Sequence, residues 1–226
     1  MPFVLNEVQR RRIENVHGGF LYQHLYTVSL MLSRPSLDWS EIAVERDEDI
    51  EVGVTGHRLY LQVKKRDRNL TFGDISDVLE RFQAIRREHE DGRRQGTPIC
   101  WIVSNAEPGH NLNQRMATDW PADVYVRTPA TCTGERGTLP APGQSLEAMW
   151  EHCVRLARHI PHSTLQPETL VSKLAAFVQY LAAGAVQADH ALSSRNFQPL
   201  LEQLVAQLQQ LPEPLDDYRP QENEPA

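Results

Sequence analysis

Asp49-Ile50-Glu51-Val52-Gly53-Val54-Thr55-Gly56-His57-Arg58-Leu59-Tyr60-Leu61-Gln62-Val63-Lys64 decides the fold. Two short runs rich in β-branched and aromatic residues flank a turn sequence, which predicts a β-hairpin. Side chains alternate across a strand, so Leu59, Leu61 and Val63 share one face and Tyr60, Gln62 and Lys64 the other. Ile50, Val52 and Val54 are likewise separated from Asp49 and Glu51. A two-residue loop at Gly56-His57, with glycine at positive φ, suits a type II′ turn. That register sets Asp49 opposite Lys64 and Glu51 opposite Gln62. One hairpin side is then apolar, and the other carries carboxylates, an amide and an amine. A one-residue slip would separate them.

Around the hairpin the pattern reads as a mixed α/β domain. Residues 1–15 form a short helix by apolar spacing, interrupted at His17-Gly18-Gly19. Phe20 to Ser33 is a helix apolar around most of its circumference, which must be buried against something large. Strands are expected at Glu41 to Arg46, Asp49 to Val54, Arg58 to Lys65, Ile99 to Val103 and Val124 to Val126. Asp74 N-caps a helix with an apolar face of Ile75, Val78, Leu79, Phe82 and Ile85, closed by Asp91-Gly92. A short helix precedes the fifth strand. The expected domains are a core at 1–128, a Thr, Gly and Pro-rich connector at 129–144, and a helical segment at 145–211 packing on the core or on a partner. An acidic, Pro-rich tail or linker follows at 212–226. The helices of the third part read as Ser145 to His159, Thr164 to Ala183 and Gln187 to Leu211.

Composition narrows the function classes. No apolar run reaches the roughly 18 residues that span a bilayer, so no membrane association is expected. Met1 to Glu7 lacks the regions of a signal peptide. Cys100, Cys132 and Cys153 form neither a disulfide framework nor a zinc signature, which suits a reducing cytoplasm. The nine histidines make no clear ligand pair, and there is no Walker loop, dinucleotide fingerprint or nucleophile elbow. The formal charge is −7, of which Leu211 to Ala226, with five acids and one base, supplies −4. The body is therefore nearly balanced. Its basic clusters, among them Arg10-Arg11-Arg12 and Lys64-Lys65-Arg66-x-Arg68, permit local positive potential beside the polar hairpin face.

Gly18-Gly19-Phe20-Leu21-Tyr22-Gln23, Glu45 to Val52, Gln62-Val63-Lys64-Lys65-Arg66, an amphipathic helix and Ile99-Cys-Trp-Ile-Val-Ser-Asn105 follow in that order. In this the chain resembles the PD-(D/E)XK nuclease superfamily. It is most similar to the double-stranded DNA endonuclease domains that act as effectors of bacterial anti-phage defence. The resemblance covers Gly18 to Asn105. It implies a restriction-endonuclease-like mixed sheet flanked by helices, with a helical C-terminal segment. It also implies Mg²⁺, with Mn²⁺ able to substitute.

By matched position Asp49 would be the metal-binding carboxylate, and Gln62 a ligand through its amide oxygen. Lys64 would position or deprotonate the attacking water and stabilise charge on phosphorus. Gln23, Tyr22, Glu45 and Glu51 would support the site, with Glu45 a further ligand or a group acting through water. Lys65, Arg66, Arg68 and Tyr60 would contact DNA. Gln62 stands where the commoner pattern has an acid, which removes one negative charge. The expected function is hydrolysis of DNA phosphodiesters, activated by assembly, by a sensor partner or by a domain outside this chain. The C-terminal helices would serve for docking or homo-oligomerisation. The rival readings are a catalytically decayed DNA-binding or assembly module, and a restriction or repair nuclease of the same fold.

Overall fold

The computed structural model describes residues 6–133, 139–160, 165–186 and 189–209. Helices α1 (Glu7–Leu32) and α2 (Arg34–Leu37) lead into strands β1 (Glu41–Val44), β2 (Ile50–Val54) and β3 (His57–Lys64). Helix α3 (Ser76–Glu90), strand β4 (Thr97–Ser104), helix α4 (His110–Thr118) and strand β5 (Val124–Arg127) follow. Helices α5 (Leu146–Ala157) and α6 (Pro167–Ala182), strand β6 (Ala191–Ser193) and helix α7 (Ser194–Gln209) complete the order. The strands form one six-stranded mixed sheet, β5-β4-β3-β2-β1-β6. The β1-β2-β3 meander and the β1–β6 pair are antiparallel, whereas β3-β4 and β4-β5 are parallel with helical crossovers. This is the mixed sheet flanked by helices expected from the sequence.

The sheet is covered on both sides. On one, α1, α5 and α6 pack against Ile50, Val52, Leu59, Leu61 and Val63; on the other, α3 and α4 pack against Tyr60, Cys100 and Ile102. The second hairpin face is therefore not an open polar surface. Its middle is core, and only its ends carry chemistry.

Several expectations need correction. The hairpin pairs Ile50 with Leu61, Glu51 with Tyr60 and Val54 with His57, so the loop is Thr55-Gly56 and Gly56, at φ 75°, is its second residue. The register is shifted by two from the expected one. An even shift keeps every side chain on its face, and it continues to Asp49 opposite Gln62. The first helix is not broken at Gly18-Gly19: α1 runs through 26 residues. Two glycines cost roughly 1 kcal/mol each in a helix. The all-round burial of Tyr22 to Leu32 offsets this, together with an Asn6 cap accepting from the Gln9 amide at 2.9 Å.

Asp74 does not cap α3. It closes a 3-10 turn with Thr71, and α3 starts two residues later from Ile75. The third C-terminal helix is shorter than expected because Ala191 to Ser193 pair with β1 first. The acidic tail or linker expected at 212–226 lies outside the described residues.

Candidate functional site

The site sits where β2 begins and β3 ends. After β1 the chain turns through Glu45, whose φ of 50° is left-handed, and returns as β2. That tight turn presents an acid-rich run, Glu45 to Asp49, at the mouth of the hairpin. Asp49 Oδ2 accepts the Val63 amide at 2.8 Å and also accepts from Gln62 Nε2. Burial pushes the Asp49 carboxyl up to about 6. The Val63 amide and Lys64 pull it down, while Glu45 and Glu48 push it further up. A half-hidden carboxyl without a directly bonded cation is a destabilising arrangement.

Gln23 reaches in from α1. Its Nε2 donates to Glu45 Oε1 at 2.6 Å and to the Asp49 carbonyl at 3.3 Å. One amide thus fixes the turn and its acid. Lys64 ends β3 beside Asp49, close enough for its charge to act on Asp49, Glu48 and Asp77. Beyond it, Asn105 clamps the chain: its Oδ1 accepts the Arg66 amide at 2.6 Å and its Nδ2 donates to the Arg66 carbonyl at 2.9 Å. Asp49, Gln62 and Lys64 line a cleft of about 670 Å³ together with Gln23, Lys65, Arg66 and the outer half of α1.

Four expected site residues are placed otherwise. Tyr22 is fully buried and donates to the Gly143 carbonyl at 2.6 Å, so it ties α1 to the connector. Glu51 is buried opposite Tyr60 and paired with Arg58 at 2.9 Å, within the sheet and outside the cleft. Tyr60 belongs to the core beneath α3, its hydroxyl 2.9 Å from His89 Nε2, and is not available to stack on a base. Arg68 lines a smaller hollow beside Asn15 and Asp67. Lys65 and Arg66 do line the cleft, with Lys65 3.3 Å from Asp67 and Arg66 3.0 Å from Asp74.

Two groups are placed by the fold in a way the sequence pattern does not fix. Arg81 of α3 donates to the Gln62 amide oxygen and to Glu48 at 3.0 Å. Glu48 is almost entirely buried, and burial raises its pKa despite Arg81. The available signal is position: Arg81 lies one residue before Phe82 and three after Val78, at the rim of the buried stripe of α3. The second group, Arg11 and Arg12, belongs to the basic cluster of the first helix and lines the cleft because α1 is continuous.

Among the described residues no three His, Cys, Asp or Glu side chains form a metal-holding group. The residues that could hold a cation are Asp49 and Glu45, with the Gln62 amide oxygen. All are hard oxygen donors, the chemistry that Mg²⁺ takes while keeping several waters. The Gln62 oxygen would have to exchange its Arg81 partner for the ion.

No family model and no curated protein matches the chain. Among solved structures, the crystal structure of a protein of unknown function, AF1548, is similar at 12% identity. The match covers 81% of this chain and 96% of that one, with a TM-score of 0.39.

Proposed function

We propose that the chain is a Mg²⁺-dependent endonuclease acting on double-stranded DNA. The observation that carries this reading is the convergence of Asp49, Gln62 and Lys64 at the floor of a cleft with basic walls. The raised Asp49 pKa supports it, because a buried carboxylate gains most from a cation bound beside it. A bound Mg²⁺ would acidify a water and polarise a phosphoryl oxygen. Lys64 would orient that water or take its proton, and stabilise charge developing on phosphorus. Asp49 and Glu45 would hold the ion, Gln62 would add its amide oxygen, and Gln23 would keep Glu45 in place.

An unrestrained DNA-cutting enzyme damages its own cell. We therefore assign the activity to a bacterial anti-phage effector in the cytoplasm, switched by assembly, a sensor partner or a further domain. The outward faces of α5, α6 and α7 are the surface for that docking or for a second copy. The test is plasmid cleavage with Mg²⁺ and with EDTA. Asp49→Ala or Lys64→Ala should abolish cutting while far-UV circular dichroism stays unchanged. Parental cutting by both variants would end the reading.

One observation favours a second reading, a nuclease-fold module that binds DNA without cutting. The Gln62 oxygen is engaged by Arg81, and the second acid of the commoner pattern is missing. Mn²⁺ titration separates the two, since a catalytic site binds the ion in an Asp49-dependent manner and a decayed one does not.

A further inference from the structure

We propose that the outer half of α1 is a phosphate-gripping arm, with Arg11 and Arg12 holding the backbone of duplex DNA laid in the cleft. This rests on the nuclease reading and extends it to residues outside the resemblance. Arg11, Arg12, Asn15 and Gly19 recur at helical spacing and line the cleft as one wall. Lys65 and Arg66, just past the end of β3, line the cleft too, and Lys64 stands at its floor. Five cations thus share the lining with Asp49, the one carboxylate among the described lining residues; Lys65 and Arg66 are paired with Asp67 and Asp74, whereas Arg11, Arg12 and Lys64 make no ion pair among the described residues.

Arg11 and Arg12 differ from the neighbouring Arg10 in their pairing. Arg10 is tied to Glu7 at 3.2 Å and to Glu14 at 3.3 Å, whereas Arg11 and Arg12 make no ion pair among the described residues. Both are exposed, so their charge is available to a ligand. A Cβ built on Gly19 would meet nothing within 4 Å, so the wall is open there to close approach. Charge complementarity selects a polyanion. The acid, amide and amine at the cleft floor suit a phosphodiester, which selects DNA over an acidic polypeptide.

The experiment is fluorescence anisotropy of a labelled duplex with the full chain in EDTA, at several salt concentrations. Removing one phosphate-binding cation lowers the salt slope by about one. Arg11→Ala/Arg12→Ala should weaken binding at least tenfold at 100 mM salt and lower the slope by about two. Arg11→Lys/Arg12→Lys should recover most of the affinity. Arg93→Ala, at the hairpin-turn end of the sheet, should bind as the parent does. Alanine favours helix, and circular dichroism checks that the variants fold.

Unchanged affinity and slope in the alanine double variant would overturn the arm while leaving Asp49-dependent cleavage, and with it the nuclease reading, intact. Arginine-dependent binding by a parent that cuts nothing would support the arm and sink the catalytic reading. No duplex binding by the parent would overturn the arm. So would equal arginine-dependent binding of polyglutamate, which would make the occupant an acidic polypeptide.

Discussion

Asp49 is held by two donors, the Val63 amide and Gln62 Nε2, yet its carboxyl titrates at about 6 because burial outweighs them. The unfolded carboxyl titrates near 3.8. Between those values the folded chain binds more protons than the unfolded chain, so stability falls as pH rises from about 4 to 6, and the full deficit persists above 6. A gap of about two pH units corresponds to roughly 3 kcal/mol. Asn at this position keeps an oxygen for both donors and carries no charge. Asp49→Asn should therefore stabilise the metal-free protein by up to about 3 kcal/mol at pH 8, with the gain vanishing near pH 4. Urea denaturation in EDTA at the two pH values checks this. A variant less stable than the parent at pH 8 would mean that the carboxylate is not strained by its surroundings.

At the scale of elements, glycines on α1 and on the connector make opposite predictions. Gly19 lies within the helix with open space where a Cβ would go, so Gly19→Ala should stabilise by up to about 1 kcal/mol. Gly143 accepts the Tyr22 hydroxyl, and a Cβ there would lie 2.4 Å from the Met149 nitrogen and 2.7 Å from the Ala148 carbonyl carbon. Backbone atoms of α5 cannot yield as a side chain would, so Gly143→Ala should cost about 3 kcal/mol. Urea midpoints for the two variants check both signs. The same elements show what the sequence can tell. Strand faces are legible because alternation is local. Register is not, because shifts by two satisfy the same pattern. The continuity of α1 is hidden because glycine propensity is local while the burial that overrides it is tertiary. Asp49, Gln62 and Gln23 can be found from strand position and resemblance. Arg81 and the arm of Arg11 and Arg12 need the packing of α3 and the continuity of α1. Glu51 and Tyr60 share a strand face with the site, but Tyr60 sits beneath α3 and Glu51 is buried against Arg58, and no strand pattern shows what covers a face.

For the whole molecule, the decisive fact is that the C-terminal elements complete the core of the N-terminal ones. Leu170, Leu174 and Val178 of α6 and Met149 and Cys153 of α5 are buried in the same cluster as Tyr26, Leu30 and Ile50. β6 pairs with β1, and Phe197 of α7 meets the buried Trp39 ring edge-on at 5.6 Å. A chain divided at 128 into two independent units would leave the apolar inner half of α1 without its cover. Residues from both sides of that division should therefore unfold together. Tryptophan fluorescence, with Trp39 and Trp101 buried in the core, and far-UV circular dichroism should follow one coincident urea transition. Phe197→Ala should shift both by the same amount, about 3 kcal/mol, with an unchanged slope on urea. Two separated transitions, or a shift confined to one probe, would mean that the helices cover the sheet without sharing its stability. The cleft would then keep its floor in a chain whose C-terminal helices had melted, and regulation through those helices could not act on the site by way of the fold.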